Sequence, residues 1–228
     1  MRLLKLVSLV VFVLFVFNKT GRSQVHSGLT TAFSEVNKKH FENFSKMINV
    51  EGDFFVNKDW TDGTVYFNDK HVVSNVSMRY FIKGKEMHVK HDGKIMKIIN
   101  QSSIDSILIG DHTFVYSEFV FGSTLSQDFL ELLSGGSIKF YKHYTNKFIK
   151  AKEVSSYQTQ ESDKYIIKKE FYVSVNDNAA EFFKPKKKSI LALFSDKKED
   201  VMSFVKKNKL KFGREADVIK IFNYYNSL

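Results

Sequence analysis

The chain has no cysteine, one proline and one tryptophan in 228 residues. Without cysteine there can be no disulfide, thiolate zinc site, cysteine nucleophile or cysteine-linked lipid anchor. The 11 glycines are dispersed, so no glycine-rich loop is available to cradle a phosphate. Arginine is scarce: among 35 basic residues only Arg2, Arg22, Arg79 and Arg214 are arginine. Bidentate recognition of phosphates and base edges favours arginine. Lysines scattered among Phe, Ile and Asn are a poor substitute, and no nucleic-acid partner is expected.

Catalytic and metal signatures are missing as well. No H-E-x-x-H occurs among the seven histidines. His88 and His91 lie three apart on a predicted hairpin, where alternation sends them to opposite faces. No metal or other cofactor is expected. Gly135-Gly136-Ser137 lacks the G-x-S-x-G frame of a nucleophile elbow. Asp59 to Gly63 resembles a calcium loop only faintly and reads better as a turn. Acid pairs such as Glu51 with Asp53, or Asp105 with Asp111, read as solvated surface carboxylates. No catalytic residue is assigned.

What the chain does have is apolar material. It is 43% hydrophobic and carries 23 Phe and 10 Tyr, enough for a core without covalent staples. At the N-terminus Arg2 and Lys5 precede an apolar run, Leu6 to Phe17, broken only by Ser8. Small residues follow at Gly21 and Ser23. This is the pattern of an export signal over residues 1–23, with Gln24 as the new N-terminus. The run is short for a membrane span, which takes about 20 residues. Export to the periplasm, outer surface or medium is expected, with no stable span once the signal is gone. Residues 1–23 hold four basic groups and no acid, so the remainder has 31 basic against 25 acidic residues, a net of +6. That mild excess suits solubility or an anionic envelope surface. The densest cluster, Lys184, Lys186, Lys187 and Lys188 around Pro185, reads as a solvated linker in preference to a binding patch.

Residues 24–50 form an N-terminal segment. Leu29, Phe33, Val36, His40, Phe44 and Met47 recur at spacings of three and four, which predicts a helical face over 29–48. From Glu51 the period becomes two. Asp62-Gly63, Asn68-Asp69, Asp92-Gly93 and Gly110-Asp111 punctuate a series of short strands. His71–Ile82 alternates, with Val72, Val76, Met78, Tyr80 and Ile82 on one face and Ser74 as its polar exception. His71, Asn75, Ser77 and Arg79 lie on the other, and the length suggests a bulge. Thr124–Ser134 reads as a short helix closed by Gly135. Ser137–Ile149 and Lys164–Val175 return to strand, the latter with Lys169 marking an edge or wet face. Beyond Pro185, residues 184–228 form a lysine-rich tail of two or three short helices, one starting at Asp196-x-x-Glu199.

The expected fold is therefore α+β. An antiparallel β-meander over 51–183 curves into a sheet or half-barrel, and short C-terminal helices pack on it.

Several features together resemble the start of a group of uncharacterised exported β-rich proteins common in Bacteroidota. They are Gly52, Phe54-Phe55, Asn57, Trp60 and Gly63-Thr64-Val65-Tyr66-Phe67. The Arg79-Tyr80 pair, the hairpin ending Ile98-Ile99, the Phe129–Gly136 stretch and the ending Tyr224-Tyr225-Asn226 extend the likeness over most of the chain. The resemblance implies export and a β-rich body with a helical tail; it carries no assigned reaction and no catalytic residue.

Three functional readings follow. The first is a non-enzymatic envelope or secreted protein that binds a protein partner or ligand. The second is a carrier of an apolar ligand such as lipid, enclosed by the curled sheet. The third, weaker, is a hydrolase of envelope polymers. Trp60, Arg79 and Tyr80 are the candidate contact residues. Trp60 can stack on a sugar or lipid headgroup, or plug the open end of the sheet.

Overall fold

The computed structural model describes residues 32–36, 51–151 and 162–228. The expected export signal lies outside these residues, as does most of the N-terminal segment.

The first part of the body is a meander that includes a hairpin whose turn the sequence dictates. Strands β3 (Thr61–Phe67) and β4 (Val72–Phe81) pair antiparallel, and β5 (Glu86–His91) and β6 (Lys94–Ile98) extend the meander. Asp92 and Gly93 both take positive φ between β5 and β6, the two-residue turn whose twist matches paired strands. The chain then returns to the other side of β3, where β7 (Ile104–Ile109) pairs. From there β8 (His112–Phe121), β9 (Thr124–Ser134), β10 (Ile138–Ile149) and β11 (Lys164–Val175) follow in order, each antiparallel to the last. A three-residue strand, β12 (Glu181–Phe183), ends the sheet. At the opposite end β1 (Phe33–Glu35) pairs with β6, and β2 (Glu51–Gly52) adds a short parallel contact to β11.

Curvature follows from the β6–β7 link. These strands are four interstrand steps apart, which is about 19 Å in a flat sheet. Residues 99–103 join them, reach at most about 20 Å, and include a 3-10 turn at Gln101–Ser103. The sheet must curl to allow this. Its concave face is filled by Val65, Met78, Tyr80, Met87, Val89 and Ile107, each fully buried, together with Phe114 and Phe129 from β8 and β9. The sheet is not closed: β1 and β12 remain its two ends.

The last strands fold back instead. Ala180 accepts from Val120 N at 2.8 Å and donates to Glu118 O at 2.9 Å, a single parallel bridge onto β8. The return gathers a second cluster: Phe119, Leu130, Tyr141 and Tyr172, one from each of β8 to β11, with Ala180 just before β12. A third cluster joins Ile138, Phe140, Val173 and Phe183 to three short helices, α1 (Lys187–Leu193), α2 (Lys198–Lys207) and α3 (Glu215–Tyr225). Phe222 of α3 stacks on Phe140, with ring centres 4.5 Å apart. The α+β architecture expected from the sequence is thus present: a curved, mostly antiparallel sheet with a docked helical tail.

Five local expectations need correction. Thr124–Ser134 is strand β9, not a helix. Phe129 enters the concave core and Leu130 the second cluster, so both faces are buried and no two-residue period shows. The helical face over 29–48 gives way at Phe33–Glu35 to edge strand β1. There Phe33 is buried opposite Ile98 and Glu35 pairs with Lys94 at 2.8 Å. Residues 37–50 lie outside the described part. In β4 the inward face changes at a bulge. Asn75 takes φ 57° and the register shifts opposite Gly63 and Thr64, so Val73 points inward while Val72 is exposed. Ser74 is therefore no exception to an apolar face. Finally, the lysines around Pro185 are exposed but do not form a linker: Lys186 caps α1 and Lys187 begins it. Asp196 does not cap α2 either; its carboxylate accepts from the Tyr225 hydroxyl at 3.2 Å.

Candidate functional site

Segment 54–57 runs antiparallel along the end of β4. Val56 N donates to Tyr80 O at 3.1 Å, and Ile82 N donates to Phe54 O at 2.9 Å. Asn57 completes the pairing with its side chain, which accepts from Tyr80 N and donates to Met78 O. The same amide donates to Asp59 O, fixing the turn that carries Trp60. Phe55 and Trp60 thereby come to one side of β4. The Arg79 guanidinium lies 3.9 Å from the Phe55 ring centre and 4.3 Å from that of Trp60. This is an aromatic clamp on a cation. Burial lowers the Arg79 pKa below its ordinary value. Arg79, His88 and Lys97 are cross-strand partners in one row, and Glu86 meets both His88, at 3.0 Å, and Lys97, at 2.6 Å.

The neighbouring Tyr80 points the other way, as alternation requires. It is fully buried in the concave core, and its hydroxyl donates to Asp128 Oδ1 at 2.8 Å. Burial, then the Asp128 charge, raises its pKa well above the ordinary tyrosine value. The structure therefore brings Trp60 and Arg79 together and separates Tyr80 from them.

Asp128 is the junction of a second constellation. Besides Tyr80 it accepts from Phe129 N at 2.8 Å, meets His143 Nε2 at 3.0 Å, and lies 3.5 Å from Lys85 Nζ. The geometry arises where β9 and β10 part. Their ladder ends at the Glu131–Lys142 pair, and beyond it the concave core and the second cluster meet. His143 is buried among Phe119, Phe121 and Tyr172, with its ring centre 4.6 Å from that of Phe119. Its Nδ1 has no hydrogen-bond partner among the described residues. Two of the rings that flank His143, Phe121 and Tyr172, also line a cleft of about 540 Å³ together with Lys168, Glu170 and Phe182 among others. Glu170 is the register partner of His143 and pairs with Lys168 at 2.9 Å. Burial and Glu170 push the Tyr172 hydroxyl up to about 12. Phe121 and Phe182 are each about half exposed, 49% for both.

Chemically, the Asp–His pair has the orienting half of a hydrolytic triad, and among the described residues no hydroxyl meets the second imidazole nitrogen. The arrangement suits binding: exposed aromatic rings for apolar contact and a Lys–Glu pair for orientation. Sequence reasoning missed Asp128 and His143. Their signal was present in Asp128 and Glu131 embedded in Phe129-Leu130 and Leu132-Leu133, which are charges within a run buried on both sides.

Glu131 organises a third polar junction. It accepts from the Tyr144 hydroxyl, contacts His112 Nδ1 at 2.6 Å and lies 3.2 Å from Lys142 Nζ. Lys142 continues to Glu215 of α3 at 2.6 Å. Burial alone would raise the Glu131 pKa; the Tyr144 and His112 hydrogen bonds and the Lys142 charge outweigh it and hold it below the ordinary value.

The chain matches no protein-family model, and neither a curated protein nor a solved structure is significantly similar to it.

Proposed function

We propose that this is an exported envelope or secreted protein that binds a partner or ligand without catalysing a reaction, using the cleft between β8 and β11–β12. The observation that carries the reading is the cleft itself, where Phe121 and Phe182 stay exposed beside the Lys168–Glu170 pair. Exposed aromatics in a concave site are characteristic of binding surfaces. The concave face of the main sheet is packed with its own side chains, which favours surface binding over a carrier that encloses lipid. Export rests on the N-terminal sequence pattern. Among the described residues no helix is long and apolar enough to cross a membrane.

The test is photo-crosslinking in the producing cells from a reactive residue placed at position 121 or 182. A control position is Tyr66 in β3, exposed and outside the cleft. A discrete adduct from both cleft positions and none from the control supports the reading; equal or absent adducts at all three positions overturn it. N-terminal sequencing of the exported material should find Gln24 or a close neighbour first. Material still beginning at Met1 would overturn signal cleavage.

A further inference from the structure

Away from the cleft, the outer side of α1 carries a depression of about 630 Å³. Its floor is Leu191 and Ala192, and Lys187, Lys188 and Lys198 rim it together with Ser195. None of the three lysines has an ion-pair partner among the described residues. The one acid between Lys187 and Lys198 in sequence, Asp196, accepts from the Tyr225 hydroxyl. Glu199 and Asp200 follow in the first turn of α2, outside the rim. Lys184, Lys186 and Lys197 add positive charge on either side in the sequence, so residues 184–198 hold six lysines and one acid.

We infer that this face of α1 docks on a membrane surface bearing anionic phospholipid headgroups. The chemistry distinguishes that occupant from an acidic protein. Recognition of discrete carboxylates or phosphates favours arginine, whose fork fixes geometry; all the charged groups of the rim are lysines, which suit a diffuse negative field. A shallow apolar floor inside a basic rim matches the layered polarity of a bilayer interface. The inference stands apart from the cleft: either site can fail without the other.

The test is flotation of the full chain with vesicles of phosphatidylcholine alone or mixed equally with phosphatidylglycerol, at low and high salt. Each lysine near an anionic surface is worth on the order of fivefold in partition. The wild type should favour anionic vesicles by tenfold or more and lose that preference at high salt. K187E/K188E/K198E should lower that preference tenfold or more relative to the wild type, whereas K206E/K207E, at the far end of α2, should retain it. All variants share residues 1–23, so any contribution of the apolar N-terminal run cancels, and circular dichroism checks that each is folded. No preference for anionic vesicles in the wild type overturns the inference. So does an equal loss from both sets of reversals, or binding to polyglutamate without binding to vesicles.

Discussion

At the scale of single residues, the molecule depends on acids buried where strands diverge. Asp128 spends its two oxygens on Tyr80, His143, Lys85 and a backbone amide, so it ties the concave core to the second cluster. Tyr80→Phe removes one neutral donor and leaves Oδ1 with the Phe129 amide; about 1 kcal/mol should be lost. Asp128→Asn removes the charge that faces His143 and Lys85 and forces an amide hydrogen toward one of its donors, so a larger cost of about 2–3 kcal/mol is expected. Urea midpoints at neutral pH check both, and the double variant should fall short of the sum because the two groups share a bond. Additive losses would show that the pair does not act as one unit.

Glu131 makes a similar junction, and it titrates. Its folded pKa lies below the ordinary carboxylate value. Its contribution is therefore complete above the unfolded value, roughly 4.3, and disappears as pH falls through the folded value. Glu131→Gln should be destabilised at pH 7, and the gap from wild type should narrow as the pH is lowered toward 3. A gap independent of pH would mean that Glu131 acts by shape alone. On the alkaline side Tyr172 has the opposite sense. Its folded pKa is raised to about 12, so stability present below the unfolded value of roughly 10 is lost as pH rises through that of the fold.

At the scale of elements, the hairpin joining β9 to β10 meets the end of α3. Asn226 reaches across and behaves like one more residue of strand. Its Oδ1 accepts from Ile138 N at 3.1 Å, and its Nδ2 donates to Ile138 O at 2.8 Å. Gly136 takes φ 122°, and a Cβ there would stand 2.5 Å from Asn226 Cγ. Gly136→Ala should therefore cost more than the ordinary penalty of a strained glycine, and Asn226→Ala should remove about 1–2 kcal/mol through two lost hydrogen bonds. Amide exchange should report both losses at Ile138. Equal protection in the variants would show that α3 is held by its apolar face alone.

Such contacts mark how far sequence could be read. The strands from β3 to β7 were legible because one face is core and the other is wet, and Asp92-Gly93 announces its own turn. β9 was not, because burial on both faces erases the two-residue period and leaves Phe129, Leu132 and Leu133 at helix-like spacings. The β4 bulge was foreseen from strand length, but not its place, since Asn75 gives no local reason to prefer one position. Of the candidate site, the Trp60–Arg79 association depends on Asn57 pairing with a strand 21 residues away. The cleft at Phe121 and Phe182 depends on Ala180 returning to β8. Neither distance has a signature in the chain.

At the scale of the whole molecule, the helical tail is structural before it is anything else. It covers Ile138, Phe140, Val173 and Phe183 on the sheet. Each fully buried side chain of this size contributes about 1.5–3 kcal/mol, so uncovering four forfeits about 6–12 kcal/mol, as much as a typical domain has in total. The tail in turn has its buried face in Ile190, Phe194, Val201, Val218, Ile221 and Phe222, which have no core without the sheet. Body and tail should then unfold together. Chemical denaturation followed by near-ultraviolet and far-ultraviolet circular dichroism should give coincident curves, and a chain ending at Lys186 should be insoluble or loosely packed. Two separated transitions, or a well-packed truncated body, would make the tail an independent unit. The same coupling ties the two proposed surfaces to one fold: charge reversals on the exposed side of α1 should change vesicle binding with little change in that single transition, because Lys187, Lys188 and Lys198 are exposed and take no part in the third cluster.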